Sequence, residues 1–117
     1  MSLFEELKEL GVDIEEGLER LGGNQSLYER LLGSFMKTID THKVDTDFDS
    51  NDYADIIEKA HAIKGTSGNL SITPLYKSYT KIVDLLRAGK PEQAKEELGK
   101  ILPVQEKIIE CIKNHME

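Results

Sequence analysis

Little in this chain could cross-link it or carry it through a membrane. One cysteine, Cys111, stands among 117 residues. No disulfide can therefore close within the chain, and a reducing compartment is implied. Its setting, Ile108-Ile109-Glu110-Cys111-Ile112, reads as packing, so the thiol is taken as inert. No apolar run is long enough to span a bilayer. The N-terminal stretch Phe4-Glu5-Glu6-Leu7-Lys8 is too charged for a signal peptide. Met1-Ser2-Leu3 could belong to an expression tag and is given no weight. A cytoplasmic protein is expected. Basic residues are in the minority, 15 against 22 acidic, for a net charge of -7. Nucleic-acid binding needs a basic stripe and is excluded as a reading.

Strand signals are missing as well. There are no alternating β-branched runs, no Asn-Gly turns and no internal repeat. What is present reads almost wholly as helix, in one domain spanning 1–117, long enough to bury roughly two-thirds of its unfolded surface. Asp13 with Glu16 resembles a capping box and opens a short helix carrying Ile14, Leu18 and Leu21, which Gly22-Gly23 closes. Ser26 with Glu29 repeats the signature. The longer helix it opens places Leu27, Leu31, Leu32, Phe35, Met36 and Ile39 at helical spacing. Residues 43–51, rich in Asp, Ser and Asn, read as a loop.

A helix over roughly 52–70 follows. Thr73 then reads as an N-cap with Pro74 at the first helical position. That helix buries Leu75, Tyr79, Ile82 and Leu86 and ends at Gly89. Pro91 starts the last helix, with Ala94, Leu98, Ile101, Ile108 and Ile112 inward. Pro103 lies inside it and removes the bond to the Gly99 carbonyl. Four amphipathic helices on short connections, after a small N-terminal helical segment, predict an all-α protein. Its architecture is an antiparallel up-and-down four-helix bundle.

The run Ala60-His61-Ala62-Ile63-Lys64-Gly65-Thr66-Ser67-Gly68-Asn69-Leu70 carries the chemistry. At about 100° per residue, His61, Lys64, Gly65 and Gly68 share one face, and Ile56, Ile63 and Leu70 share the other. A titratable ring is thus held beside one positive charge with little bulk around it. Glycine inside a helix costs roughly 1 kcal/mol against alanine, so two on one face suggest a steric reason. Ile57, one turn before His61, reads as part of an apolar docking patch.

These residues resemble the histidine-containing phosphotransfer family, whose signature is a histidine, Lys-Gly at +3 and +4, small residues, and an Asn-Leu-Gly-like close. The segments Val12–Gly23 and Leu75–Gly89 are similar to the family's opening segment and partner helix. The resemblance implies a phosphorelay carrier in a two-component system. His61 would accept a phosphoryl group from a receiver-domain aspartyl phosphate, or from a sensor kinase histidine, and pass it to another receiver aspartate. Lys64 would stabilise the phosphate, and Gly65 and Gly68 with Ile57 would form the docking face. No cofactor is implied beyond the Mg²⁺ that the partner receiver brings, and a monomer is expected.

General chemistry agrees. A neutral imidazole is nucleophilic near pH 7, and phosphoryl transfer depends mostly on positioning and on cations at the equatorial oxygens. There are two departures from the family pattern. Ser71 stands where the family closes with glycine. Val83 stands where members often carry a polar residue bonded to the histidine Nδ1. Thr80, one turn earlier, or a water is left to orient the ring, and Arg87 is placed to add positive charge.

Plainer readings compete. A lone surface histidine is most often just solvated, which would leave a helical-bundle interaction module. An enzyme would need a second acid or base, a metal triad or a Walker loop, and none is recognisable. Asp47, Asp49, Asn51, Asp55 and Glu58 have the spacing of a calcium loop. However, Asp52 stands where glycine belongs, and a solvated loop accounts for these acids better. His42 and His115 sit near helix ends, where cations suit the dipole, and are assigned no chemistry.

Overall fold

The computed structural model describes residues 1–116; Glu117, the last residue of the expected domain, lies outside them. All elements among the described residues are helices: α1 (Leu3–Glu9), α2 (Ile14–Arg20), α3 (Gln25–Thr41), α4 (Ala54–Asn69), α5 (Thr73–Arg87) and α6 (Pro91–Met116). None is long and apolar enough to cross a membrane. The 26-residue α6 runs about 39 Å at 1.5 Å per residue and accounts for most of the 43 Å long axis.

The N-terminal segment is two helices rather than one. Ser2 caps α1 in a reciprocal capping box with Glu5, and Leu3 is buried, so the first residues take part in the fold. Asp13 caps α2 as the spacing predicts, accepting from the Glu16 amide at 3.1 Å. Its box is one-sided, because the Glu16 carboxylate turns instead to Arg20 and Ser71. The cap of α3 is Asn24, not Ser26; its side-chain oxygen accepts from Leu27 N–H at 3.0 Å. Asparagine and serine cap about equally well, and Asn24 takes the role because its side chain bonds the Leu27 amide, which starts the helix two residues earlier. Helix α5 likewise begins one residue early. Ile72 holds the cap position, Thr73 is already helical with its hydroxyl on the Ser71 carbonyl at 3.2 Å, and Pro74 is the second helical residue.

The expected apolar stripes face a single core. Ile56, Ile63 and Leu70 of the α4 region are buried, as are Leu75, Tyr79, Ile82, Val83 and Leu86 of α5. Tyr79 donates to the buried Gln105 of α6. That pairing satisfies two polar groups which would otherwise be costly in an apolar layer. The helix α6 continues through Pro103.

The loop between α3 and α4 is ordered by its own apolar residues. Val44 and Phe48 are buried. Lys95 Nζ lies 4.8 Å from the Phe48 ring centroid and also donates to Ser50 Oγ at 2.8 Å, while Ser50 donates to Glu92. Its acids do not gather: Asp49 caps the Asn51 amide and Asp55 faces Lys59.

Helices α4 and α5 run antiparallel. Tyr76 near the start of α5 lies against Gly68 near the end of α4, and Gly89 just past α5 approaches Tyr53 just before α4. Three residues join the helices, and their backbone groups are fully used. Ile72 N–H bonds Ser67 C=O and Ser71 N–H bonds Gly68 C=O, a Schellman pair with Ser71 at the left-handed position, φ 54°. The Leu70 carbonyl accepts from the buried Tyr28 hydroxyl at 2.7 Å, and the Ser71 carbonyl accepts from Asp13 N–H at 2.9 Å. The end of α4 is therefore clamped by both α2 and α3.

Candidate functional site

The clamp ties down the end of α4, and the outer face of that helix carries the motif. His61 and Gly65 are exposed, Lys64 and Gly68 are half-buried, and Ala60, Ile63 and Ser67 between them are buried. The histidine ring is thus not turned into the core. Lys8, Lys59, Lys81 and Lys95 are engaged in ion pairs among the described residues, and Lys64 is in none of them. Its ammonium, one helical turn from His61, is held by no carboxylate of the described residues. Ile57 is half-buried and packs on the core while keeping an outer edge. It serves packing and leaves only part of itself for docking.

The two glycines differ. A Cβ on Gly65 would meet nothing within 4 Å, so its lack of a side chain leaves open surface beside His61. A Cβ on Gly68 would stand 2.8 Å from the Tyr76 ring. The space beside Gly68 is taken by this chain's own tyrosine, an intramolecular reason for a residue that the spacing alone assigned to partner access. Tyr76 itself is 41% exposed. It borders a depression of about 630 Å³ that continues past Gly65, Ser71 and Lys77 to Arg20. Sequence reading missed this aromatic, because nothing in the α5 periodicity marks it as lying over α4.

The Gly68–Tyr76 contact also fixes the register. Both helices rise about 1.5 Å per residue. Counting back along α4 and forward along α5 sets Thr80 level with Lys64, Val83 level with His61, and Arg87 level with Ile57. Val83 is fully buried and has nothing polar to offer the ring. Thr80 donates its hydroxyl to its own helix, to the Tyr76 carbonyl at 2.6 Å, and so is already engaged. Arg87 is exposed at the end of α5. Two cations, Lys64 and Arg87, therefore bracket His61 by one turn on either side along the helix axes.

Ser71 explains its own departure from the resembled pattern. Its φ of 54° lies where glycine is favoured. Serine is held there by side-chain bonds: Arg20 donates to Ser71 Oγ, and Ser71 Oγ donates to Glu16 at 2.7 Å. Those bonds hold the Glu16 carboxyl below its ordinary value, Ser71 contributing most and Arg20 next.

No protein-family model, no curated protein and no solved structure matches the chain.

Proposed function

We propose that this chain is a histidine phosphotransfer carrier built on an antiparallel four-helix bundle of α3 to α6. One observation carries the reading. A solvent-exposed imidazole stands mid-helix, with a lysine one turn away that is in no ion pair among the described residues and open space at Gly65 on the same face. In the proposed step a neutral His61 attacks the phosphorus of a receiver aspartyl phosphate through Nε2. The new P–N bond forms as the P–O bond breaks, and the electron pair leaves on the aspartate carboxylate. Transfer onward is the reverse at another receiver. Charge gathers on the three equatorial oxygens during transfer, and Lys64 supplies a cation within reach. The receiver contributes Mg²⁺ and closes out water. The phosphorelay role, the receiver and sensor kinase partners and a monomeric state all belong to this proposal.

Incubation with a phosphorylated receiver domain, followed by mass spectrometry, tests it. The expected product is an acid-labile adduct of one phosphoryl group on His61, absent in His61→Gln. A His61→Gln protein that still accepts phosphate as fast as the parent would reduce the chain to a helical interaction module.

A further inference from the structure

Away from the His61 face, the described residues bring one set of unlike ligand-type side chains together. Cys111 and His115 stand four apart on α6 and so share a face. Helix α1 lays Glu6 across them. Cys111 Sγ is 3.3 Å and His115 Nε2 is 3.1 Å from the same carboxylate oxygen, Glu6 Oε2. The three ligand atoms all lie within 4.8 Å of one another. A tetrahedral zinc ion, with bonds of about 2.3 Å to sulfur and about 2.0–2.1 Å to nitrogen and oxygen, spaces its ligand atoms roughly 3.3–3.6 Å apart. The two spacings to Glu6 Oε2 need to open by only a few tenths of an ångström, and the Cys111–His115 spacing, at most 4.8 Å, adjusts through side-chain rotation.

We propose that Glu6, Cys111 and His115 form a zinc-type divalent cation site that clasps α1 to the last turns of α6, with a fourth position open to water. Thiolate, imidazole and carboxylate together favour zinc or cobalt over magnesium and calcium, which take oxygen sets. Burial shelters the sulfur, Cys111 being 5% exposed, while Glu6 and His115 at the rim leave a path for the ion. Without metal, burial and the Glu6 carboxylate push the thiol up to about 11, and its proton sits in the hydrogen bond to Glu6. Metal binding exchanges that proton for the cation. Metal–sulfur and metal–nitrogen bonds form as the Cys111 S–H proton leaves to solvent and His115 Nε2 gives up the proton it holds against Glu6, leaving the ring protonated at Nδ1 alone. Because the ligands come from the first and last helices, occupancy stabilises the folded state by mass action.

Cobalt(II) titration of the full chain tests the site. The expected result is one equivalent bound, a sulfur-to-cobalt charge-transfer band with the strong visible bands of four-coordinate cobalt, and displacement of both by zinc. Removing one ligand should weaken binding at least about tenfold in His115→Ala and in Glu6→Gln, as even outer-sphere partners of a metal site can. Both residues lie at the surface, so folding is checked simply by circular dichroism. Zinc should also raise the thermal midpoint of the parent more than that of His115→Ala. No sulfur–cobalt band in the folded parent, or equal affinity in the parent and both variants, would overturn the site. Neither result bears on His61, and a failed phosphotransfer assay leaves this experiment intact.

Discussion

The Tyr76 ring lies 2.8 Å from the point where Gly68 would carry a Cβ, whereas the corresponding point at Gly65, one turn earlier, faces open space. One motif thus contains two glycines of different purpose, and substitution separates them. Gly65→Ala should raise stability by about 1 kcal/mol, the ordinary gain of alanine in an exposed helix, while slowing transfer from a receiver. Gly68→Ala should show no such gain, because the propensity benefit is offset by displacing Tyr76. Gly68→Ala combined with Tyr76→Ala should recover it. Urea denaturation of the four proteins checks this, and equal stabilisation by both single alanines would refute the distinction.

Ser71 sits in the left-handed region and is held by Glu16 and Arg20. Ser71→Gly gives up the side-chain bonds but relieves the backbone. Ser71→Ala gives up the bonds and keeps the strain, which for a non-glycine residue is about 1–2 kcal/mol. The alanine variant should therefore be less stable than the glycine variant by at least about 1 kcal/mol. Denaturant midpoints at equal m-value measure the gap, and indistinguishable variants would mean the conformation carries no cost.

Acid should act through carboxylates that are tied down in the fold. Glu97, only 14% exposed in its side chain, accepts from Ser78 Oγ at 2.7 Å and faces Lys81 at 3.3 Å. Ser78 does most to hold its carboxyl below the ordinary value of 4.5. Glu16 is lowered as well. A group depressed in the native state contributes stability above its unfolded value and loses it as pH falls through the native one. Stability should hold from neutrality down to about pH 4.5 and then decline. Ser78→Ala should flatten that decline. Unfolding free energies measured across the acid range give the slopes, and an unchanged slope would deny Glu97 its part.

The helix faces were legible because the core imposes a 3.6-residue period, and every apolar stripe read from it on α4 and α5 is buried. His61 and Lys64 were legible for the same reason, since they fall on the face opposite the Ile56–Ile63–Leu70 stripe. Starts were less so: Asn24 displaced Ser26 because several polar residues in a row can each fill the role, and Ile72 displaced Thr73 through its backbone carbonyl alone, which accepts from Tyr76 N–H with no side-chain cap. The purpose of Gly68 was hidden, because it depends on the register that brings Tyr76 across from another helix. The same holds for Glu6, whose meeting with Cys111 and His115 joins opposite ends of the chain.

Lys64 and Arg87 flank His61 from two helices, and their contributions should differ. Lys64 shares α4 with the histidine and stands one turn on, so in the proposed carrier its ammonium would reach a phosphoryl group on Nε2 directly. Arg87 is level with Ile57 on the far side and is exposed at the end of α5, where water and salt screen it. Lys64→Ala should slow phosphoryl acceptance about tenfold, equivalent to about 1.4 kcal/mol of barrier, and shorten the life of the phosphohistidine. Arg87→Ala should cost no more than about threefold at low salt and nothing measurable at high salt, where the Debye length falls to about 3 Å. Rapid-quench transfer from a phosphorylated receiver at two ionic strengths resolves the two effects. If Arg87→Ala proves the slower protein at both, the cation that matters lies on α5, and the placement of Lys64 over the phosphate is wrong.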